Sequence, residues 1–340
     1  MIQLKNICIV TRHPFWKEPL GNGTLMRSRH RMLSNLCDNL FVLFITKSDE
    51  KCPLRNGATL KVQDRITPQN IASLVHFIKQ EFIDICYFSY NLFGNIASQL
   101  PCKTVVEIHD VLHLRQEQFQ KYGYDAPIEV DKHAELASLK QYDWIVSLNL
   151  DEVDYLNKNS LSNAVYVPPT MEFRRIPKRQ DGEICAGFIG SSAKPNIDGL
   201  VNSIHYIREF PSLVFAGAIS HQSILEQVPS QNLERMGIIP DVTLFYSRID
   251  IALSPIRFGA GLKIKVFEAL AYGKRLIATR HSISGFPQGI ESIVSVEDDF
   301  AKWNVNLLQQ TMAIQESKIE EYFCANFSSS STEKIMRSIL

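Results

Sequence analysis

The sequence predicts an α/β fold built from two doubly wound halves joined by a linker. Short apolar runs of strand length alternate with stretches of helical periodicity along the whole chain, the pattern of parallel sheets covered by helices. The alternation lapses at 170–182, where Arg174, Arg175, Lys178 and Arg179 crowd a stretch with almost no apolar pattern. The length, 340 residues, suits two domains.

The elements follow in order. Residues 7–11 form a short apolar strand, and 12–23 a loop containing Pro14, Pro19, Gly21 and Gly23. Thr24 is placed to cap a helix running to about Asn35, and 40–46 is the next strand. The pattern then repeats: helix at 72–78, strand at 83–88, helix at 95–100, strand at 103–108, helix at 129–140, and strands at 144–148 and 165–167. After the linker, strands are expected at 184–189, 213–216, 233–238 and 250–253, with a helix at 196–207. The loop, helix and strand after residue 253 complete a second Rossmann-like unit. Residues 301–322 read as one helix, 328–331 as a serine loop and 332–340 as a last helix. The expected domains are therefore 1–169, a linker at 170–182, 183–322, and a C-terminal helix at 323–340 that packs back on the first domain.

Composition narrows the class. Lys+Arg and Asp+Glu are both 36, so no global field points to nucleic acid. The apolar share of 45% and charged share of 21% are those of an ordinary globular protein. The seven cysteines (Cys8, Cys37, Cys52, Cys86, Cys102, Cys185, Cys324) are scattered and form no C-x-x-C pair. They read as reduced, mostly buried thiols, which points to the cytoplasm. The N-terminal run is too short for a signal peptide, and no stretch of 18 apolar residues exists to span a membrane.

The most informative stretch is 254–273, SPIRFGAGLKIKVFEALAYG. A strand ends at Ser254-Pro255, a loop carries Gly259 and Gly261, and 262–272 reads as a helix with Ile264, Phe267, Leu270 and Ala271 at helical spacing. A glycine loop opening a helix presents backbone N–H groups and a favourable dipole to an anion. Lys263 and Lys265 on the first turn run against that dipole, which suggests an external negative charge to meet. Lys263 with the loop amides suits a diphosphate, and Glu268 suits ribose hydroxyls. The alternative is a domain helix with a solvated basic turn.

This stretch resembles the donor-site segment of GT-B glycosyltransferases of the group 1, GT4-like class. That class carries a glycine loop, one or two basic residues, and a Glu-Ala run like Glu268-Ala269-Leu270-Ala271-Tyr272-Gly273 here. A second glutamate eight residues earlier is common in the class; Ala260 stands in that position. The resemblance implies a GT-B fold, two Rossmann-like domains facing across a cleft, with the first on the acceptor side and the second holding a nucleotide-sugar. It implies donor contacts from Gly190, Ser191, Gly259, Gly261, Leu262, Lys263 and Glu268. His109, at the end of a first-domain strand, would lie by the reacting sugar, and Asp110 is a candidate base. His113 and Arg115 follow as second-rank candidates. The loop at Gly21 and Gly23, with Arg27, would approach the diphosphate or the acceptor. Arg27, Arg29, His30 and Arg31 beside Phe15, Trp16 and Lys17 suggest peripheral contact with anionic lipid at the inner face of a membrane, or else a solvated helix face.

No Asp-x-Asp is present, and no His/Cys cluster has zinc spacing, so a metal-independent reaction is expected and no cofactor is called for. The expected function is transfer of a sugar from a nucleotide diphosphate sugar to a hydroxyl of a saccharide, lipid-linked or protein acceptor, in surface polysaccharide or glycoconjugate synthesis. Two alternatives stand beside it: a nucleotide-sugar epimerase on the same fold, and a non-catalytic GT-B partner subunit, which the Ala260 departure makes plausible.

Overall fold

The computed structural model describes residues 5–17, 21–63, 66–91, 96–176 and 182–340. It divides into two compact units. One comprises Met1–His113, Ile128–Thr170 and Ser329–Leu340; the other comprises Leu114–Pro127 and Met171–Ser328.

The first unit runs β1 (Asn6–Thr11), α1 (Asn22–Leu36), β2 (Asn39–Thr46), β3 (Gly57–Lys61), α2 (Pro68–Gln80), β4 (Ile85–Ser89), β5 (Lys103–Ile108), α3 (Leu112–Lys121), α4 (Lys132–Leu139), β6 (Trp144–Ser147), α5 (Leu150–Lys158) and β7 (Ala164–Tyr166), α3 continuing into the 114–127 segment of the second unit. All its strand pairings are parallel, in the order β3-β2-β1-β4-β5-β6-β7. Strands β1, β4 and β5 are almost wholly buried, because helices cover both faces of such a sheet and no polar face is needed.

The second unit contains β8 (Cys185–Ile189), α6 (Lys194–Ile207), β9 (Ser212–Ala216), β10 (Leu233–Gly237), α7 (Val242–Tyr246), β11 (Ile251–Ser254), α8 (Ile264–Ala271), β12 (Arg275–Ala278), α9 (Arg280–Ile283), β13 (Ser295–Val296), α10 (Val305–Met312) and α11 (Glu316–Phe327). Its parallel sheet is ordered β10-β9-β8-β11-β12-β13. The core sits around Phe188, Leu200, Phe215 and Trp303. The final helix, α12 (Ser329–Ile339), belongs to the first unit, where Met336 and Ile339 join the core of α1 and β1.

Several elements differ from the sequence expectation. Helix α1 starts at Asn22 with Gly21 as its N-cap, so Thr24 lies inside the first turn and Gly23 is helical. The expected helix at 301–322 is two helices, broken where the chain turns between Met312 and Glu316. Of the serine run at 328–331, expected as a loop, Ser328 is the C-cap of α11 and 329–331 open α12. In place of a helix at 95–100 there is a single 3₁₀ turn, Ala97–Gln99; Asn95 lies outside the described residues. So do Pro19 and, in the expected linker, Lys178 and Arg179. The segment 114–127, expected within an unbroken first domain, packs on the second unit.

Candidate functional site

In a doubly wound sheet, ligands bind outside the carboxyl ends of the strands where strand order reverses. In the second unit that place is between β8 and β11. Strand β8 ends at Gly190-Ser191, and β11 leads into the glycine loop. The backbone is tightly stacked here: a Cβ on Gly217 would fall 2.4 Å from the Gly190 carbonyl oxygen. Gly259 and Gly261 have φ of 115° and 70°, which side chains disfavour, so the loop's path depends on both. Helix α8 begins after Lys263 with no side-chain cap and no acid in its first turn. It ends in a Schellman turn, Lys274 N–H donating to Ala269 O (2.9 Å) and Gly273 N–H to Leu270 O (3.0 Å).

Lys263 donates to the Gly261 carbonyl at 3.0 Å, holding its ammonium over the loop. Lys265 is half-buried; its ammonium donates to Asn196 Oδ1 and lies 4.7 Å from the centroid of the Phe188 ring. Burial, with the Lys263 charge adding to it, brings the Lys265 ammonium down to about 7. Glu268 is 5% exposed, and its Oε1 has no hydrogen-bond partner among the described residues. Burial pushes its carboxyl up to about 7, against the pull of Lys265. His281 is held down to about 3, by burial first and then by the Lys263 charge. An amine and a carboxyl both displaced toward neutrality, under a loop of backbone amides, are arranged to respond to an incoming anion with hydroxyl donors.

Asn196 was not signalled by the sequence. Its Nδ2 donates to Ser191 O (3.0 Å) and Oγ (3.2 Å) while its Oδ1 accepts from Lys265, so one buried side chain joins the β8 turn to α8. Asp198, two residues on, grips Arg257 with two bonds of 2.7 Å and accepts from Tyr124 Oη at 3.1 Å. Phe258 is stacked by Tyr122 (4.8 Å) and Tyr124 (5.2 Å) and met edge-on by Phe119. The 114–127 segment thus braces the glycine loop from outside. From below, Ser282 Oγ donates to Ser254 O (2.6 Å) and accepts from Ile256 N–H (3.2 Å). Leu262 is buried, Ser191 is exposed, and Gly259 lies 3.6 Å, at its Cβ position, from Pro195.

In the first unit, His109 follows β5 at the carboxyl edge of the sheet and is 9% exposed. Its Nδ1 is 2.7 Å from Tyr90 Oη. Its Nε2 lies 3.4 Å from Glu107 Oε1, an ion-pair separation without hydrogen-bond geometry, and has no other partner among the described residues. Glu107 is fully buried on β5; Arg29 Nε donates to its Oε2 at 2.5 Å, and Tyr87 Oη donates to the same oxygen. Burial opposes that charge, but Arg29 and then His109 outweigh it and hold the carboxyl down at about 2. Asp110 is half-buried next to this group. His113 is separate: its Nδ1 faces Glu135 Oε2 and its Nε2 faces Tyr155 Oη, both at 2.7 Å.

Gly21 caps α1 through its carbonyl, which accepts from Thr24 and Leu25 N–H (3.0 and 3.2 Å). Arg27 turns back to the preceding loop, donating to Phe15 O (2.8 Å) and Thr24 Oγ1 (3.1 Å). The proposed lipid-facing patch is not assembled as expected. Arg29 is buried against Glu107, Phe15 is buried, and Lys17 pairs with Glu50 at 2.9 Å. No described helix is long and apolar enough to cross a membrane.

With the site laid out, comparison with known proteins places the fold. Residues 184–310 match the family model described as Glycosyl transferases group 1. The whole chain is similar to the apo form of a lipopolysaccharide outer core galactosyltransferase, WaaB, at 11% identity and a TM-score of 0.71 over 98% of each chain. It is similar to Anabaena HepE in complex with UDP (11% identity, TM-score 0.71, covering 98% of this chain and 99% of that one). A glycosyltransferase from Rickettsia africae is likewise similar (12%, 0.67, 99% and 97%).

The chain has the GT-B glycosyltransferase fold. The match to the group 1 glycosyltransferase model is confined to residues of the second unit. No curated protein matches the sequence. The glycine loop, Lys263, Lys265 and Glu268 all fall inside the matched region, whereas Glu107, His109 and Tyr90 lie outside it.

Proposed function

We propose that this glycosyltransferase moves a sugar from a nucleotide diphosphate sugar to a hydroxyl acceptor, with the donor held by the second unit. The observation that carries the reading is the loop between β11 and α8: two glycines in left-handed backbone, an uncapped helix start and two lysines, one held close to neutral, inside the group 1 region. In the transfer step the acceptor oxygen forms a bond to the sugar carbon while the bond from that carbon to the diphosphate breaks, and the electron pair leaves with the diphosphate. Charge therefore grows on the diphosphate. Lys263 and the amides at Gly190, Gly259 and Gly261 are assigned to stabilise it, which is usually the largest contribution to such a rate. Glu268 is assigned to the ribose hydroxyls, which would supply the donors that its orphaned Oε1 lacks.

A uridine donor is the first to test, since HepE has been solved with UDP and with UDP-glucose. Metal independence is part of the proposal: lysines and amides take the place of a cation. The acceptor is proposed to be a growing surface polysaccharide or glycoconjugate, in keeping with the lipopolysaccharide role named for WaaB. His109 and Asp110 are assigned to the sugar and acceptor side.

Lys263→Ala is expected to lower turnover by about 100-fold while leaving the melting temperature near that of the wild type. Normal turnover in this variant would remove the diphosphate assignment. Product formed without any acceptor would indicate an epimerase, and UDP binding without turnover in a broad acceptor screen a non-catalytic subunit.

A further inference from the structure

Each ring nitrogen of His109 faces a polar group, Nδ1 the Tyr90 hydroxyl at 2.7 Å and Nε2 the Glu107 carboxylate at 3.4 Å. The proton position follows from its partners. Glu107 is an anion whose Oε2 already accepts from Arg29 and Tyr87, and its Oε1 faces His109 Nε2. A lone pair on Nε2 would lie 3.4 Å from a negative oxygen, so the proton belongs on Nε2. That leaves Nδ1 as an acceptor, and the hydroxyl within reach of it is that of Tyr90, at 2.7 Å. The order carboxylate, imidazole, hydroxyl is that of a catalytic triad, with tyrosine in the place of serine.

Tyr90 itself is unusual. It sits just past β4, on the side of the strand-order reversal between β1 and β4, and has φ of 77°, an uncommon conformation for an aromatic residue. Its N–H donates to Glu107 O at 2.9 Å, which fixes the strained backbone to the strand that carries the carboxylate and imidazole. Its ring lies 4.2 Å from the His109 ring and 4.8 Å from that of His13, which follows β1. The titratable groups around His109 are thus Glu107 and Asp110 on its own segment, Tyr87 and Tyr90 from β4 and its end, Arg29 from α1, and His13 beyond Tyr90.

We propose that Glu107, His109 and Tyr90 form a proton relay whose working end is the Tyr90 hydroxyl, and that this hydroxyl, not the imidazole, receives the proton of the acceptor alcohol. The proposal rests on the glycosyl-transfer reading given above. As the acceptor oxygen bonds to the sugar carbon and the diphosphate departs with its electron pair, the alcohol's proton passes to Tyr90 Oη. The proton already on Tyr90 passes to His109 Nδ1. The imidazolium formed lies between the Glu107 carboxylate and Tyr90, and it returns its proton through the same path to solvent once product has left. Glu107 acts through His109 and is a positioning residue; Arg29 and Tyr87 fix which of its oxygens is available.

The test uses the full chain and two independent readings. Nitrogen-15 NMR of histidine-labelled protein, with the His109 signals assigned by their loss in His109→Gln, reports the tautomer without reference to activity. The proposal expects the Nε2–H form, with the Nδ1 signal moving in Tyr90→Phe; an Nδ1–H tautomer overturns it. In transfer assays, Tyr90→Phe keeps the ring and is expected to lower kcat about 100-fold with the donor KM unchanged and the melting temperature lowered only by the loss of one hydrogen bond. Wild-type kcat in this variant overturns the proposal. Glu107→Gln is expected to lower kcat, again without raising the donor KM, and to flatten the pH profile of kcat; an unaltered kcat and profile count against the relay. If the wild type transfers no sugar to any acceptor, the functional reading fails, and the tautomer still decides whether the relay exists.

Discussion

Among the described residues of the first unit a Glu–His–Tyr trio occurs twice, and the two copies are built differently. In Glu135–His113–Tyr155 both imidazole nitrogens have partners at 2.7 Å, and Glu135 also accepts from the backbone N–H groups of Leu112 and His113 at 2.9 Å. That carboxylate caps α3, satisfying amides that a helix start leaves open. In Glu107–His109–Tyr90 the carboxylate is committed to Arg29 and Tyr87, its contact with histidine is longer at 3.4 Å, and the tyrosine is strained. The first copy joins α3, α4 and α5; the second lies at the carboxyl ends of β4 and β5. The same three side chains therefore serve to fasten helices in one place and to hold a hydroxyl ready in the other. Geometry and position in the sheet separate the two roles; residue type does not.

The contrast is broken most directly at Glu107. Glu107→Ala leaves the Arg29 guanidinium buried without its counter-ion, and a loss of about 3–5 kcal/mol is expected in denaturant unfolding. A loss under about 1 kcal/mol would mean that Arg29 finds another partner or water. The acid limb gives a second reading. Glu107 titrates at about 2 in the folded chain against an ordinary 4.5. A lowered carboxylate contributes stability that is complete above the ordinary value and lost as pH falls toward the folded one. Melting temperature is thus expected to fall from about pH 4.5 to 2, and less steeply in Glu107→Gln. Glu268 has the opposite sign: raised to about 7, it favours the folded state below 4.5 and less so as pH rises through 7. The smallest effect belongs to the fastening copy. Tyr155→Phe should cost about 1 kcal/mol in unfolding and leave kcat unchanged. A loss of kcat comparable with that of Tyr90→Phe would erase the distinction drawn between the two trios.

What the sequence made legible was local. The strand at 103–108 coincides with β5, because Val105, Val106 and Ile108 make a short β-branched run, interrupted by Glu107 alone, between turn signals. The glycine loop and Glu268 were readable because they lie within fifteen residues of one another and carry a recognisable order. Helix α3 was missed because LHLRQEQFQK is polar and its apolar stripe faint, and α5 because LDEVDYLNK, though it buries Val153 and Leu156 on one face, is too short for its period to stand out. Strand β3 was missed because an edge strand with alternating exposure has no apolar run. The site residues missed were those whose partners are distant in sequence. Asn196 and Lys265 are 69 positions apart, and Arg29 and Glu107 are 78 apart. Periodicity carries no signal for such pairs. Glu107 in an apolar strand was the available hint, since a charge there must find a counter-charge when the sheet is covered.

The placement of α12 has a consequence for how the chain is made. The core containing Ile7, Ile9 and Met26 is closed by Met336 and Ile339, which are synthesised after the whole 171–328 stretch. On the ribosome, the part that emerges first is therefore the part that waits longest for its last wall, and its apolar surface stays open while a second sheet is assembled. Removing residues 329–340 would leave that same surface permanently exposed, with self-association as the outcome to watch for.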